Sequence, residues 1–434
     1  MQTYQSWGRY PPAAHTRVLP IRWRTDPIRL SDLSESVLPF AYGRSYGDSC
    51  LNNGGALLDV SGLGRFIAFD ESTGVLRCET GVTLAEVLSL AVPRGWFLPV
   101  VPGTKWVSIG GAIANDIHGK NHHRAGTFGA HVTCLELLRS TGERILCSPE
   151  RNVELFRATI GGLGLTGLIL WAELRLKRIP GAQIAMERIR FSGLRDFAQL
   201  STEDQEFEYT VAWIDCLARG RRLGRGLFLR GDHAPGPSRT SSRGKSRITI
   251  PATLPSGLVN RATTTVFNGL YYRAQVRTRQ RKTGEYEPFF FPLDGIGAWN
   301  RLYGRRGFLQ YQCVTANESE GAVAELLDQV ARSSEIPSLA VLKRFGTVRS
   351  PGLLSFPRPG ITLAIDFAMR GATTLALLDR LDQVVAAAQG AVYPAKDARM
   401  SAANFRRFFP HWQSFASQVD PKFSSSFWRR VTAA

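Results

Sequence analysis

Between Pro102 and Asn121 the chain reads PGTKWVSIGGAIANDIHGKN, and no other stretch constrains it as much. Four glycines, two lysines, a histidine and an aspartate share this run, with too few large side chains to build a core. The composition predicts a loop whose backbone lies against a large, flat, polyanionic ligand. Without a Cβ, glycine tolerates positive φ, so successive N–H groups can turn towards one cluster of oxygens. His118 and Lys120 add polar side chains at the same surface.

Two further loops have this character. Gly43-Arg44-Ser45-Tyr46-Gly47-Asp48-Ser49 follows the apolar Val37-Leu38-Pro39-Phe40, and Gly161-Gly162-Leu163-Gly164-Leu165-Thr166-Gly167 follows a short helix. Neither a Walker loop nor the Rossmann Gly-x-Gly-x-x-Gly between strand and helix is present. One glycine-rich loop is ordinarily a tight turn. Three of them in the first part of the chain point to a nucleotide cofactor.

Around these loops the pattern reads as strands at Gly55–Val60 and Gly74–Glu79. A capping box at Thr83–Glu86 opens a helix through Leu90, a short helix covers Glu150–Thr159, and a strand covers Leu168–Leu176. A second region has strands over Phe308–Thr315, Leu339–Phe345 and Ile361–Phe367. Its helices run over Glu318–Arg332, with Val323, Leu326, Leu327 and Val330 on one face, and over Thr374–Gln389, with Gly390 as the stop. Strand-helix-strand twice over suggests an α+β sheet backed by helices.

The chain has 434 residues, room for two or three domains, and its net charge of +18 is concentrated. Fifteen basic residues against the single acid Asp232 place +14 between Leu217 and Lys282. That stretch is expected to be a mobile, solvated insertion; nucleic acid and an anionic membrane are the alternatives for its charge. Pro235–Gly244 reads as its flexible middle. Leu258, Val259, Ala262, Val266, Phe267, Leu270 and Tyr271 recur at near-helical spacing among arginines, which suits either a bilayer interface or packing on the second region. No apolar stretch is long enough to span a bilayer, and Met1–Gly8 lacks a signal-peptide pattern, so a cytoplasmic, peripherally membrane-associated protein is expected. Six scattered cysteines without C-x-x-C read as reduced thiols, and no metal site is expected.

The strings GRSYGD (Gly43–Asp48), GGAIANDIHGKNHH (Gly110–His123), Gly161–Gly167, FLQYQ (Phe308–Gln312) and Tyr393-x-Ala395-Lys396-Asp397-x-Arg399 carry a resemblance over nearly the whole chain. They are similar to the vanillyl-alcohol-oxidase-like FAD-linked oxidases, and within these to the decaprenylphosphoryl-β-D-ribose 2'-oxidase family. The resemblance implies a two-domain α+β fold. A PCMH-like FAD domain would occupy residues 1–179. A substrate domain, with an antiparallel sheet backed by helices and the basic insertion 217–282, would occupy 180–390. Residues 391–434 would return to the FAD domain. It implies non-covalent FAD held by Pro39, Phe40, Ala41, Tyr42, Gly43, Arg44, Ser45, Tyr46, Gly47, Asp48 and Ser49. Gly103, Ser108, Ile109, Gly110, Gly111, Asn115, Asp116, Ile117, His118, Ile169 and Tyr393 complete that set. Tyr46, Lys120, Gln310, Gln312, Lys343, Phe345 and Lys396 would line the substrate pocket. The implied substrate is a polyprenyl-phosphoryl ribose oxidised at its 2'-hydroxyl, the partners an NAD(P)H-dependent keto-reductase and an anionic membrane, with no nucleic acid. Two positions depart from the family's mycobacterial members, Ala364 for a Cys and Phe290 for a Tyr.

Oxidising an alcohol requires a hydride acceptor, which a flavin provides, and a group that takes the hydroxyl proton. Lys396 and His118 are both candidates for the latter. A lysine with an ordinary pKa near 10.4 needs burial or a cationic neighbour to act so, and Lys120 and Lys343 could be that neighbour. Histidine has a suitable intrinsic pKa. Gln310 and Gln312 alternate along one strand, so both face the same way and suit sugar hydroxyls. A soluble aldonolactone- or alditol-type oxidase on the same fold is the nearest rival. A basic nucleic-acid-binding protein would explain the charge but not the three loops.

Overall fold

The computed structural model describes residues 4–203, 206–237, 248–255, 257, 260–316 and 320–433. Towards the N-terminus, Val18–Pro20, Ala56–Asp59 and Val37–Phe40 form a parallel sheet with Ala56–Asp59 in the middle. Phe66–Asp70, Val75–Glu79, Leu168–Arg175, Val132–Leu138 and Arg144–Cys147 follow as an antiparallel sheet in that order. The capping box forms as its sequence dictates: Thr83 accepts from Glu86 N, Glu86 accepts from Thr83 N, and the helix runs Leu84–Ala91. The helix expected from Glu150 begins at Val153, because Asn152 before it is left-handed at φ 51°.

The expected loop Pro102–Asn121 contains a helix, Ile109–Ala114, which composition concealed. Ser108 caps it, and Ile109, Ala112 and Ile113 bury one face at helical spacing. The third glycine-rich loop closes its far end, since Gly161 N and Leu163 N donate to Ile113 O and Ala114 O. Two glycine-rich segments, Pro102–Asn121 and Gly161–Gly167, therefore meet at one short helix.

An antiparallel eight-stranded sheet dominates the rest. Its order is Arg279–Glu285, Gln183–Phe191, Gly226–His233, Tyr209–Ile214, Pro337–Phe345, Gly360–Ala368, Phe308–Ala316 and Ala391–Val392. Helices Glu320–Arg332 and Ala372–Ala387 cover one face, burying Val323, Leu326, Leu327, Val330, Leu377, Leu381 and Val385 against Tyr311, Cys313, Leu342, Leu363 and Ile365. The second helix ends at Ala387, and the left-handed residue that follows it is Gln389 at φ 51°, one residue before the expected stop Gly390. Glu318, the expected start of the first helix, lies outside the described residues.

The stretch 217–282 is not a single insertion, which corrects the expectation. Gly226–His233 is an internal strand paired on both sides, with Leu227 and Phe228 buried. Its Arg230 is buried against Glu187, and Arg225 binds Asp215 at 2.8 Å. Counting charges missed this because the compensating acids lie outside the counted window, across the sheet. Residues 238–247, with Arg239, Arg243, Lys245 and Arg247, and also Leu258 and Val259, lie outside the described residues.

Beyond Val392 the chain crosses back to the first sheets. Val37 N donates to Lys422 O, Arg139 pairs with Asp420 at 3.2 Å, and Arg430 joins Asp48 at 2.7 Å to Asp397 at 2.9 Å. Among the described residues no helix is long and apolar enough to cross a membrane.

Candidate active site

Register decides which side chains meet. Gln310 pairs with Asp366, Gln312 with Ala364, Ala364 with Val341, and Thr362 with Lys343. Directly paired residues of an antiparallel sheet share a face. Gln310, Gln312, Thr362, Asp366, Lys343 and Phe345 therefore occupy the face opposite the two helices. Asp366 was missed in the sequence, although it stands two residues after Ala364, on the same face by alternation.

Opposite this face lies the loop of His118. Gln312 Nε2 donates to His118 Nε2 at 2.8 Å. In this amide orientation Nε2 is an acceptor, so the ring proton sits on Nδ1, which is buried without a partner. Phe345 and Tyr393 pack on the ring, with centroids 4.9 and 5.3 Å away. Burial, together with the charges of Lys343, His122 and Lys396, holds the imidazole pKa well below its ordinary value, so the ring is neutral. Tyr393 is itself fixed by its hydroxyl, which donates to Asn115 O at 2.7 Å.

Lys396 reaches the same space from the C-terminal side. Tyr46 N donates to Ala395 O at 2.9 Å, and the Lys396 Nζ sits 3.5 Å from the centroid of the Tyr46 ring. The approach is so close that a Cβ on Gly47 would lie 1.6 Å from Asp397 O, so only glycine fits there. Burial lowers the Lys396 pKa to about 7; Asp366 opposes that shift and Lys343 adds to it. Burial lowers Lys343 to about 8, and burial with Lys343 lowers Lys120 to about 7. Lys120 Nζ donates to Phe290 O at 3.1 Å. Asp366 is raised to about 7 by burial, against the hydrogen bond from Gln310 at 2.6 Å and the charge of Lys396; its Oδ2 has no partner.

The residues fit a flavin nucleotide. His118 Nδ1, Arg44 Nε and Ser49 Oγ are buried and unpartnered on the loops named for the cofactor, and a Cβ on Gly103 would meet nothing within 4 Å. Gly43 is left-handed at φ 58°. Thr80 ties two of the named positions together, accepting Gly110 N through its carbonyl and donating its hydroxyl to Ile169 O at 2.5 Å. A cleft of about 400 Å³ opens beside the Gly43–Ser49 loop, lined by Tyr42, Arg44, Thr83, Lys105, Trp106 and Glu287. Lys120, Lys343 and Lys396 do not line it.

Some named side chains do other work. Asp116 accepts from Ser350, Ser355 and Gly129 N, which pins the His118 loop and leaves only its backbone for a ligand. Asp48 is engaged by Arg430, and Phe40 is core, edge-on to Tyr4 at 5.4 Å. The Asp48–Arg430–Asp397 chain, also missed, anchors the Lys396 segment to the Gly43–Ser49 loop; sequence spacing gives no hint of a partner so distant.

Residues 30–148 match the FAD binding domain family. The chain is 36% identical over 411 residues to decaprenylphosphoryl-β-D-ribose oxidase of Mycolicibacterium smegmatis, covering 91% of this chain and 89% of that one. It is 36% identical to an uncharacterized protein in the mprA 5' region of Streptomyces coelicolor, covering 81% of this chain and 100% of the relative. A putative D-arabinono-1,4-lactone oxidase of Neurospora crassa matches at 30% over 141 residues, 32% of this chain and 25% of its own.

Proposed function

The chain belongs to the decaprenylphosphoryl-β-D-ribose oxidase family, and from that premise we propose that it oxidises the 2'-hydroxyl of a polyprenyl-phosphoryl-β-D-ribose to the keto sugar. That it is an FAD-dependent oxidoreductase follows from the family and the FAD binding domain. The observation that carries the substrate proposal is the polar sheet face and what meets it: Gln310 and Asp366 for sugar hydroxyls, Lys343 on the sheet and Lys120 from the loop for a phosphate, and Lys396 beside Tyr46.

FAD, when bound, supplies the acceptor for the hydride leaving the carbinol carbon. Lys396 takes the hydroxyl proton. Its pKa near 7 leaves a large share as free amine at neutral pH, and Tyr46 fixes where the nitrogen stands. His118 is a hydrogen-bond donor rather than the base, because Gln312 occupies its Nε2 and leaves Nδ1–H as the open position. Gln310 and Asp366 hold a neighbouring hydroxyl, and Lys120 and Lys343 face the phosphate. Non-covalent FAD, a reductase partner that uses NAD(P)H to complete epimerisation at the same carbon, and a membrane that presents the lipid substrate belong to this proposal.

The lactone oxidase is the rival to separate, and its likeness covers only about a third of this chain. Turnover of a short-chain prenyl-phosphoryl-β-D-ribose should exceed that of D-arabinono-1,4-lactone by orders of magnitude. The reverse preference would transfer the site to the soluble substrate.

A further inference from the structure

We propose that the helix Arg261–Ala274 and the basic edge strand after it form a docking face for an anionic lipid bilayer. The helix is inverted relative to an ordinary surface helix, whose apolar side faces the core. Its inward positions are polar: Thr264 and Asn268 are buried, Asn268 donates to Asp215 at 2.9 Å, and Tyr272 donates to Phe191 O at 3.2 Å. Arg261 secures its start through Ser333 O at 2.9 Å. The outward positions are apolar. Val266, Phe267 and Leu270 are 60, 56 and 64% exposed, and Val276 just beyond is 83% exposed. At 100° per residue, Val266 and Leu270 point almost directly away from the Thr264–Asn268 stripe.

The charge beside this face identifies its occupant. Arg273, Arg277, Arg279 and Lys282 are exposed, and none forms an ion pair among the described residues. Arg279–Glu285 is the outer strand of the large sheet among the described residues, so Arg279 and Lys282 lie on its edge strand, with Arg273 at the end of the helix and Arg277 in the connection between them. An apolar ridge flanked by unpaired cations suits shallow insertion beneath anionic headgroups, whereas a protein partner would need acids placed to match.

The location fits as well. Tyr271 packs edge-on against Trp213 at 4.7 Å, and Trp213 pairs with Val341, two residues before Lys343 on the polar face. The docking face thus lies one strand from the site. This deepens the reading of a lipid-linked substrate and rests on it for its purpose, but not for its test.

The test is co-sedimentation of the FAD-loaded full chain with vesicles of phosphatidylglycerol and phosphatidylcholine, or of phosphatidylcholine alone. Wild type should bind the anionic vesicles and lose binding at high salt, as the screening length falls from about 10 Å at 0.1 M to about 3 Å at 1 M. Val266→Ser/Phe267→Ser/Leu270→Ser and Arg277→Gln/Arg279→Gln/Lys282→Gln should each weaken binding about ten-fold or more. Both should keep their FAD, their melting temperature and their turnover of short-chain soluble substrate, since these side chains are exposed. Equal binding to both vesicle types, no binding by wild type, or either triple variant binding like wild type would overturn the proposal. So would a lipid-free dimer that the apolar substitutions dissolve, because the face would then be a subunit contact. Vesicle binding without turnover of any prenyl-phosphoryl ribose would refute the substrate reading and leave the docking face standing.

Discussion

The two faces of the strands Phe308–Ala316, Pro337–Phe345 and Gly360–Ala368 are built from the same segments yet differ in every physical respect. One turns Tyr311, Cys313, Leu342, Leu363 and Ile365 onto two helices, where no side chain is more than 2% exposed. The other turns Gln310, Gln312, Lys343 and Asp366 towards the loop of His118, and burial shifts the ionisable groups there away from their usual pKa values. The first face lowers free energy by removing apolar area from water. The second raises it, and buried polar groups held apart from water mark a functional site. Stability and chemistry are divided between alternate positions of the same strands.

The division can be broken by substitution. The largest effect should come from Lys396→Ala, which is expected to keep its FAD and fold but lose roughly 10²–10⁴-fold in the rate of flavin reduction. A loss of only a few-fold, read by rapid mixing, would return the proton to His118. On the opposite face Ile365→Ala should do the converse. It should cost about 2–5 kcal/mol in chemical denaturation, with turnover per folded molecule unchanged. A variant with normal stability and slow turnover would show that the faces are not separate.

Asp366→Asn should give a smaller and more diagnostic change. Activity should rise with pH as Lys396 loses its proton near 7. Asp366 pulls that pKa up, so removing its charge leaves burial and Lys343 to push it down, and the acid limb of kcat/KM should move to lower pH. A limb that vanishes together with activity would make Asp366 itself the base. The smallest expected effect is none: with Ala364 on the polar face there is no sulfur at that position to attack, so compounds that require a thiol there should leave the protein unmodified by mass spectrometry.

What the sequence made legible followed local rules. The capping box at Thr83, the apolar stripe of Val323–Val330 and the alternation of Gln310 with Gln312 each depend on near neighbours, and each appears in the structure. The failures were non-local. The helix Ile109–Ala114 was hidden by its glycines, which pack where larger side chains could not; a Cβ on Gly110 would lie 2.9 Å from Thr80 Cβ. The strand Gly226–His233 was hidden by the charge in and beside it: Glu187 pairs with Arg230 within the strand, and Asp215 pairs with Arg225 just before it. Asp366 needed the register of two strands before its place opposite Gln310 could be known. The apolar residues of the helix Arg261–Ala274 had the right period, but only burial shows that they face outward.

The central claim is that this polar face positions the 2' carbon of a prenyl-phosphoryl ribose for oxidation. Anaerobic mixing of the FAD-loaded protein with short-chain prenyl-phosphoryl-β-D-ribose, deuterated at C2' or at C3', tests it most directly through the bleaching of the flavin. The account predicts rapid bleaching that C2' deuterium slows and C3' deuterium does not. Bleaching slowed only by C3' deuterium, or no bleaching by the prenyl-phosphoryl sugar while a free lactone or alditol reduces the flavin, would contradict it.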